Sequence, residues 1–272
     1  MLLRPLGLVL ALLILAAPAV AAPSADLWPR WEKHTPGSTA SIDHGRLNAF
    51  LTKYLRPVDG VNRVDYGAIT VPDMIELDGY IADLAASDVD ALDRPQQMAF
   101  WINLYNALTV QLIMTHYPVD SIKDTGGFLS SPWGRTVVTV ADQKMSLDDI
   151  EHRVLRPIWR DPRIHYAVNC ASIGCPNLAA EAYEADKLDA QLDAAARDYV
   201  NHPRAAEVTG SGLVASKIYD WYQVDFGGSE AGVIAHLKQY AEPALAAKLD
   251  GVSDIADYRY DWALNDVPGG RR

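Results

Sequence analysis

Clusters of basic residues, metal-binding spacings, long apolar runs and cysteines are what this chain has least of. No block of Lys or Arg occurs, and 24 basic residues stand against 35 acidic ones for a net charge of −11. A partner held through its phosphates is thereby disfavoured, and nucleic acid is not expected as a ligand. The histidines fall into no H-x-x-x-H pattern and the cysteines into no C-x-x-C pattern. Cys170, Cys175 and His165 would need a fourth group to hold zinc, so neither a metal nor another cofactor is expected. Long apolar runs are also missing, apart from Leu6 to Val20. That run is shorter than the roughly 20 apolar residues a membrane helix needs. It follows Arg4 and ends in Ala19-Val20-Ala21-Ala22, the pattern of a secretory leader cleaved after Ala21. Cys170 and Cys175 are the only cysteines, so none follows the leader as a lipid-attachment site. The expectation is a soluble periplasmic or secreted protein in an oxidising compartment, without stable membrane insertion.

What is present is the material of a packed fold. Of 272 residues, 49% are hydrophobic and 22% charged, with a mean hydropathy of −0.05, which is not the balance of a disordered chain. The chain divides into the leader 1–21, an extended arm 22–40 whose Trp28 and Trp31 are expected to dock on the body, and a single domain over 41–268. Helical spacing of apolar residues predicts helices from about Asp43 to Leu55, after Pro72, and over Asp186 to Val200, Ser216 to Tyr222 and Ser229 to Tyr240. The most informative helix opens at Asp93-Arg94-Pro95-Gln96, an acceptor cap with proline in the first turn, and runs from Met98 to His116. It carries no charge on any face between Trp101 and Met114, which places it at the centre of the domain. Thr136 to Met145 reads as a hairpin, and Ser146-x-x-Asp149 caps a helix that stops near Pro157. Alternation of Ile164, Tyr166, Val168 and Cys170 predicts a strand from Arg163 to Cys170, and Tyr258, Tyr260 and Trp262 predict a closing strand. The expected class is therefore α+β, a helix-rich single domain with a small, mainly antiparallel sheet.

Four passages combine turn chemistry with unusual polar content. They are Phe100-Trp101-Ile102-Asn103-Leu104-Tyr105-Asn106-Ala107; Ser146-Leu147-Asp148-Asp149-Ile150-Glu151-His152; Asp161-Pro162-Arg163-Ile164-His165 running on to Asn169-Cys170-Ala171-Ser172-Ile173-Gly174-Cys175-Pro176; and Tyr260-Asp261-Trp262-Ala263-Leu264-Asn265. In this order they resemble the family known as domain of unknown function 547, rich in exported bacterial proteins, and the resemblance spans essentially the whole chain after about residue 40. It implies a domain of that family and no settled activity.

The passages are expected to converge on one polar cleft bound by Asn106, His165, Asn169, Cys170 and Asn265. Asn103 and Asn106, three apart, share a face of the central helix. Either they tie that helix to neighbouring loops or they floor the cleft, and a buried amide left without partners costs about 1–3 kcal/mol. The cysteines also admit two readings. Five extended residues reach roughly 17 Å, so a disulfide between Cys170 and Cys175 requires the turn that Gly174 permits. Alternatively, Cys175 before Pro176 sits at a helix start, where the dipole favours the thiolate. His165, on the strand face opposite Cys170, is then badly placed, and His152 beside Glu151 is the better base. Cys175, His152 and Asn103 or Glu151 resemble papain-like or transglutaminase-like sites in residue type, although those families place the cysteine on the early central helix, where this chain has Asn103 and Asn106. Two functions follow: a cysteine-dependent hydrolase or transferase acting on an amide, thioester or γ-glutamyl-like bond, or a non-catalytic module binding a peptide or envelope fragment, its cysteines joined in a disulfide. The small-molecule or peptide ligand is unnamed by the sequence.

Overall fold

The structure is a computed structural model that describes residues 24–127 and 131–270; the expected leader lies outside them. Its helices are α1 (Gly45–Tyr54), α2 (Val71–Ala86), α3 (Arg94–His116), α4 (Arg156–Trp159), α5 (Ile164–Ala167), α6 (Leu188–Val200), α7 (Lys217–Trp221), α8 (Glu230–Tyr240) and α9 (Pro243–Leu249). The strands are β1 (Leu55–Val58), β2 (Val61–Val64), β3 (Thr136–Val140), β4 (Gln143–Ser146), β5 (Ala206–Thr209), β6 (Gly212–Ser216) and β7 (Ile255–Arg259). The α+β class holds, but the strands form three separate sheets: the antiparallel hairpins β1-β2 and β3-β4, and a β5-β6-β7 sheet whose β6-β7 pair is parallel. Among the described residues no helix is long and apolar enough to cross a membrane.

Helix α3 is the axis of the fold. Asp93 caps it by accepting from the Gln96 N–H at 3.0 Å, and every residue from Gln97 to Val110 is buried. A helix enclosed on all faces needs no amphipathic stripe, which is why its middle is free of charge. The arm docks on this core through Trp31, whose ring lies 4.9 Å from that of Trp101, and through backbone bonds from Asp26 and Trp28 to the carbonyls of His152 and Arg153.

The hydrophobic interior has two parts. One surrounds α3 and takes in α1, α2 and the β3-β4 hairpin; the other gathers Tyr166, Tyr199, Leu213, Tyr219, Phe226, Val233 and Leu237. Their junction explains one correction. Arg163 to Cys170 is not a strand: the Asp161 carboxylate accepts from the Arg163 N–H at 2.9 Å, opening the single helical turn α5, and the backbone turns extended only at Val168, with no strand following it. Ile164 enters the first core and Tyr166 the second, so apolar residues two apart point into different interiors rather than along one strand face.

The helix expected after Ser146 also differs in its winding. Asp149 to Leu155 is a π-helical segment, closed by an Arg156 N–H to Glu151 carbonyl bond spanning five residues. It passes into α4 and runs through Pro157 to Trp159. The C-terminal strand ends at Arg259, and residues 260–266 then cross the body. The Leu264, Asn265 and Val64 N–H groups donate to the carbonyls of Asp120, Ala171 and Asn265 respectively.

Candidate active site

A cleft of about 500 Å³ opens between the two cores. Its polar floor is the loop 169–175. Asn106 on α3 reaches both sides of the entry to this loop, donating to the Ala167 carbonyl at 2.9 Å and accepting from the Asn169 N–H at 2.9 Å. Asn169 in turn accepts from the Ala171 N–H and donates to the Pro176 carbonyl, and Asn265 closes the set by accepting from the Tyr66 hydroxyl. Ala171 sits in the left-handed region at φ 59°, a conformation costing about 1–2 kcal/mol in a residue with a Cβ and held here by the Asn169 contact. Gly174 is required by proximity: a Cβ on it would lie 2.8 Å from the Asp261 backbone nitrogen. The loop is thus pressed against residues 260 and 261.

Both cysteines are free thiols, which corrects the disulfide expectation. The Cys170 N–H donates to the Cys175 sulfur at 3.0 Å. No helix begins at Pro176, and residues 176–179 belong to no helix or strand, so the helix-terminus argument for Cys175 fails. Cys175 is 5% exposed, and burial, followed by its contact with Cys170, pushes its thiol well up. Cys170 is the reverse case. The Cys175 thiol bonded to its sulfur lowers it most, and the hydroxyls of Ser172 and Tyr260, each 3.1 Å away, lower it further against the opposing effect of burial. Ser172 and Tyr260 are themselves 2.8 Å apart, so sulfur and two hydroxyls form a closed triangle that accommodates thiol or thiolate.

Beyond the sulfur lies a charged cluster built on the π-helical segment. Asp225 accepts from His165 Nε2 at 2.7 Å and from Arg156 Nε at 2.6 Å. His165 Nδ1 is 3.5 Å from Glu151, and its ring stacks on Tyr222 at 4.2 Å. Burial acts to lower the His165 pKa, but the two carboxylates outweigh it and raise it. Glu151, which burial would raise, is held down at about 2 by the neighbouring imidazoles and Arg156. Asp148 departs the other way: burial and the charges of Glu151 and Asp149 push it up to about 6, and its nearest ionic partner is His152 Nε2 at 3.7 Å.

Of the expected site residues, Cys170, Cys175, His152, Glu151 and His165 line this cleft. Helical winding brings His165 onto the Cys170 side of the molecule, where a strand would have turned it away. Asn103 does not join them. It donates to the Tyr183 carbonyl at 2.8 Å and accepts from the Tyr183 N–H at 2.9 Å, facing a separate small void. The papain-like constellation of Cys175, His152 and Asn103 is therefore not assembled, and Asn103, Asn106, Asn169 and Asn265 are braces of the loops behind the site.

The structure adds groups that sequence reasoning passed over. Tyr105, Asp148, Ser172 and Tyr260 lay inside the four passages, and polar side chains there were a usable signal. Lys123, Trp221, Tyr222, Arg156 and Asp225 lay outside the arguments made from them. Trp133 and Trp262 face each other at 5.7 Å, and Trp221 meets Tyr260 at 4.9 Å, giving the cleft an aromatic wall. Lys123 Nζ lies 3.8 Å from the Trp262 ring centre. Among the described residues no group of three or more His, Cys, Asp or Glu side chains is arranged to hold a metal ion.

In comparison with known proteins, residues 89–200 fit the family described as "Protein of unknown function, DUF547". No curated protein and no solved structure matches the chain.

Proposed function

We propose that this chain, whose residues 89–200 fit the DUF547 family, is a thiol-dependent hydrolase or acyltransferase whose nucleophile is Cys170. The observation that carries the reading is the sulfur of Cys170 at a cleft floor, with the two hydroxyls of Ser172 and Tyr260 at 3.1 Å. Hydrogen bonds to an ionised acceptor are roughly twice as strong as neutral ones, so the pair favours the thiolate. In the reaction the sulfur bonds to the carbonyl carbon of an amide, thioester or γ-glutamyl-like bond. The leaving group departs with the proton the thiol gave up, passed through the two hydroxyls. Water, or an amine acceptor, then attacks the acyl-thioester, yielding acid or new amide and restoring the thiol.

A second reading rests on a specific observation. Neither imidazole bonds to Cys170: His165 is committed to Asp225 and His152 to Arg156. A module that binds its ligand without turnover is consistent with that arrangement. Incubating wild-type protein with an activated acyl donor, a p-nitrophenyl ester or an N-acetylcysteamine thioester, followed by intact-mass measurement, separates the two. An acyl adduct that maps to Cys170 and is absent from Cys170→Ala supports the enzyme. Absence of any adduct, or an adduct on Cys175, sinks it.

A further inference from the structure

The cleft contains two opposite charges that do not meet. The Asp148 carboxylate has no Lys or Arg within ion-pair distance among the described residues, its closest neighbour of that kind being His152 Nε2 at 3.7 Å. Lys123 has no carboxylate there; its ammonium rests on the Trp262 ring. Both residues line the same cavity, and they are not paired with one another. Elsewhere in the molecule the charges near the site are matched: Arg156 with Asp225, Arg153 with Asp149, and Arg163 with Asp161 and Asp193.

An independent feature also points to an occupant. Tyr105 on α3 is 1% exposed and lines the cleft, yet its hydroxyl has no hydrogen-bond partner among the described residues. Every other polar side chain flanking it on the buried face of that helix is satisfied, Asn103, Asn106 and Thr109 included. The hydroxyl oxygen is not one of the enclosed polar atoms left without a partner, so it opens onto the cleft, where a ligand polar group can bond to it in place of water.

We infer that the cleft takes a zwitterionic acyl donor of the amino-acid or short-peptide class, its ammonium against Asp148, its carboxylate against Lys123, and a carbonyl or amide group reaching Tyr105. The inference rests on the thiol reading above for which bond lies over Cys170. The aromatic rings suit such a ligand: Tyr222 and Trp133 stand with Asp148 around the cleft, and aromatic faces attract a cation that a carboxylate also holds. An uncharged sugar or a simple fatty acyl chain would leave one or both of the isolated charges unused.

The test separates binding from chemistry. Tryptophan fluorescence, reporting on Trp133, Trp221 and Trp262, is titrated on Cys170→Ala protein with γ-glutamylglycine, alanylalanine and alanylglutamate, each also as its N-acetyl and its C-amide form. At least one parent should bind, and each block should weaken it tenfold or more. The N-acetyl penalty should vanish in Asp148→Asn and the C-amide penalty in Lys123→Gln. Equal binding of parent and blocked forms, binding of none of the parents, or penalties unchanged in both variants overturns the inference. Because the thiol is absent from this assay, failure here leaves the acyl-adduct experiment standing. Zwitterion binding together with an inert Cys170 in wild-type protein would instead remove the enzyme and retain the ligand class.

Discussion

Arg156 Nη1 lies 3.2 Å from His152 Nδ1, and since a guanidinium only donates, this contact places the proton of neutral His152 on Nε2, toward Asp148. Burial is the main influence lowering the His152 pKa, so the neutral ring persists at pH 7. Nitrogen-15 spectra should show an unprotonated Nδ1 and a protonated Nε2 for this residue. The opposite tautomer would mean that His152 faces Arg156 with its other nitrogen and presents an acceptor to the cleft.

Iodoacetamide should modify Cys170 before Cys175. The Cys170 thiol is lowered by three sulfur and hydroxyl partners, whereas burial raises that of Cys175. Peptide mapping across a pH series should give Cys170 a half-point below its ordinary value of 9.0 and leave Cys175 unmodified until the fold opens. Equal rates for the two would remove the distinction.

Tyr260→Phe keeps the ring against Trp221 and Trp262 and deletes one donor to the sulfur. A hydrogen bond to a charged group contributes about 1.5–3 kcal/mol, so the Cys170 half-point should climb by about one to two pH units. An unchanged half-point with an unchanged melting temperature would show that Tyr260 does not bear on the thiolate.

Asn103→Leu and Asn106→Leu should each cost about 1–3 kcal/mol in urea unfolding, because each leaves a buried N–H and C=O without a partner. They should differ at the thiol. Asn106 braces Ala167 and Asn169 at the entry to the cysteine loop, while Asn103 holds Tyr183. Only Asn106→Leu should alter the Cys170 alkylation rate; a matching change from Asn103→Leu would contradict the separation of the two sites.

Stability should depend on pH at both edges of the Asp225–His165 pair. Asp225 is opposed by burial but held at about 2, against an ordinary 3.8, by His165 and Arg156. Its contribution, on the order of 2 kcal/mol at most for a shift of this size in a partly solvated pair, is present above 3.8 and lost as the pH falls through about 2. His165 is raised from 6.5, so its contribution is present below 6.5 and fades as the pH rises through its folded value. The groups facing the pair are Glu151, His152, Arg156 and Tyr222. Denaturation of wild type and Asp225→Asn should differ most between about pH 4 and 6.5 and converge near pH 2. A constant difference down to pH 2 would deny the linkage.

Much of this was readable from the chain, and the failures have physical causes. The central helix was legible because its cap and its lack of charge both act locally. The strand over residues 163–170 was misread because period-two alternation implies one buried face, and α5 lies between two interiors that bury every side. Proline after Cys175 suggests a helix start, yet the Pro176 carbonyl accepts from Asn169 and the Asn177 side chain accepts from the Asn62 N–H, contacts to other elements that no helix start at Pro176 accompanies. The cysteines and their passage were identified from sequence; which sulfur is activated was not, because that depends on Tyr260, 90 positions along the chain. A π-helical segment differs from an α-helix by one residue per turn and leaves no mark in apolar spacing.

The stitching of residues 260–266 into Ala171, Asp120 and Val64, together with the parallel pairing of β7 on β6, makes the acidity of Cys170 a property of chain closure. Contacts of such long sequence separation demand loop-closure entropy before they return any energy, and they form late. During refolding, therefore, Cys170 should behave as an ordinary thiol until the C-terminal segment docks. The moment at which it begins to react fast would time that docking.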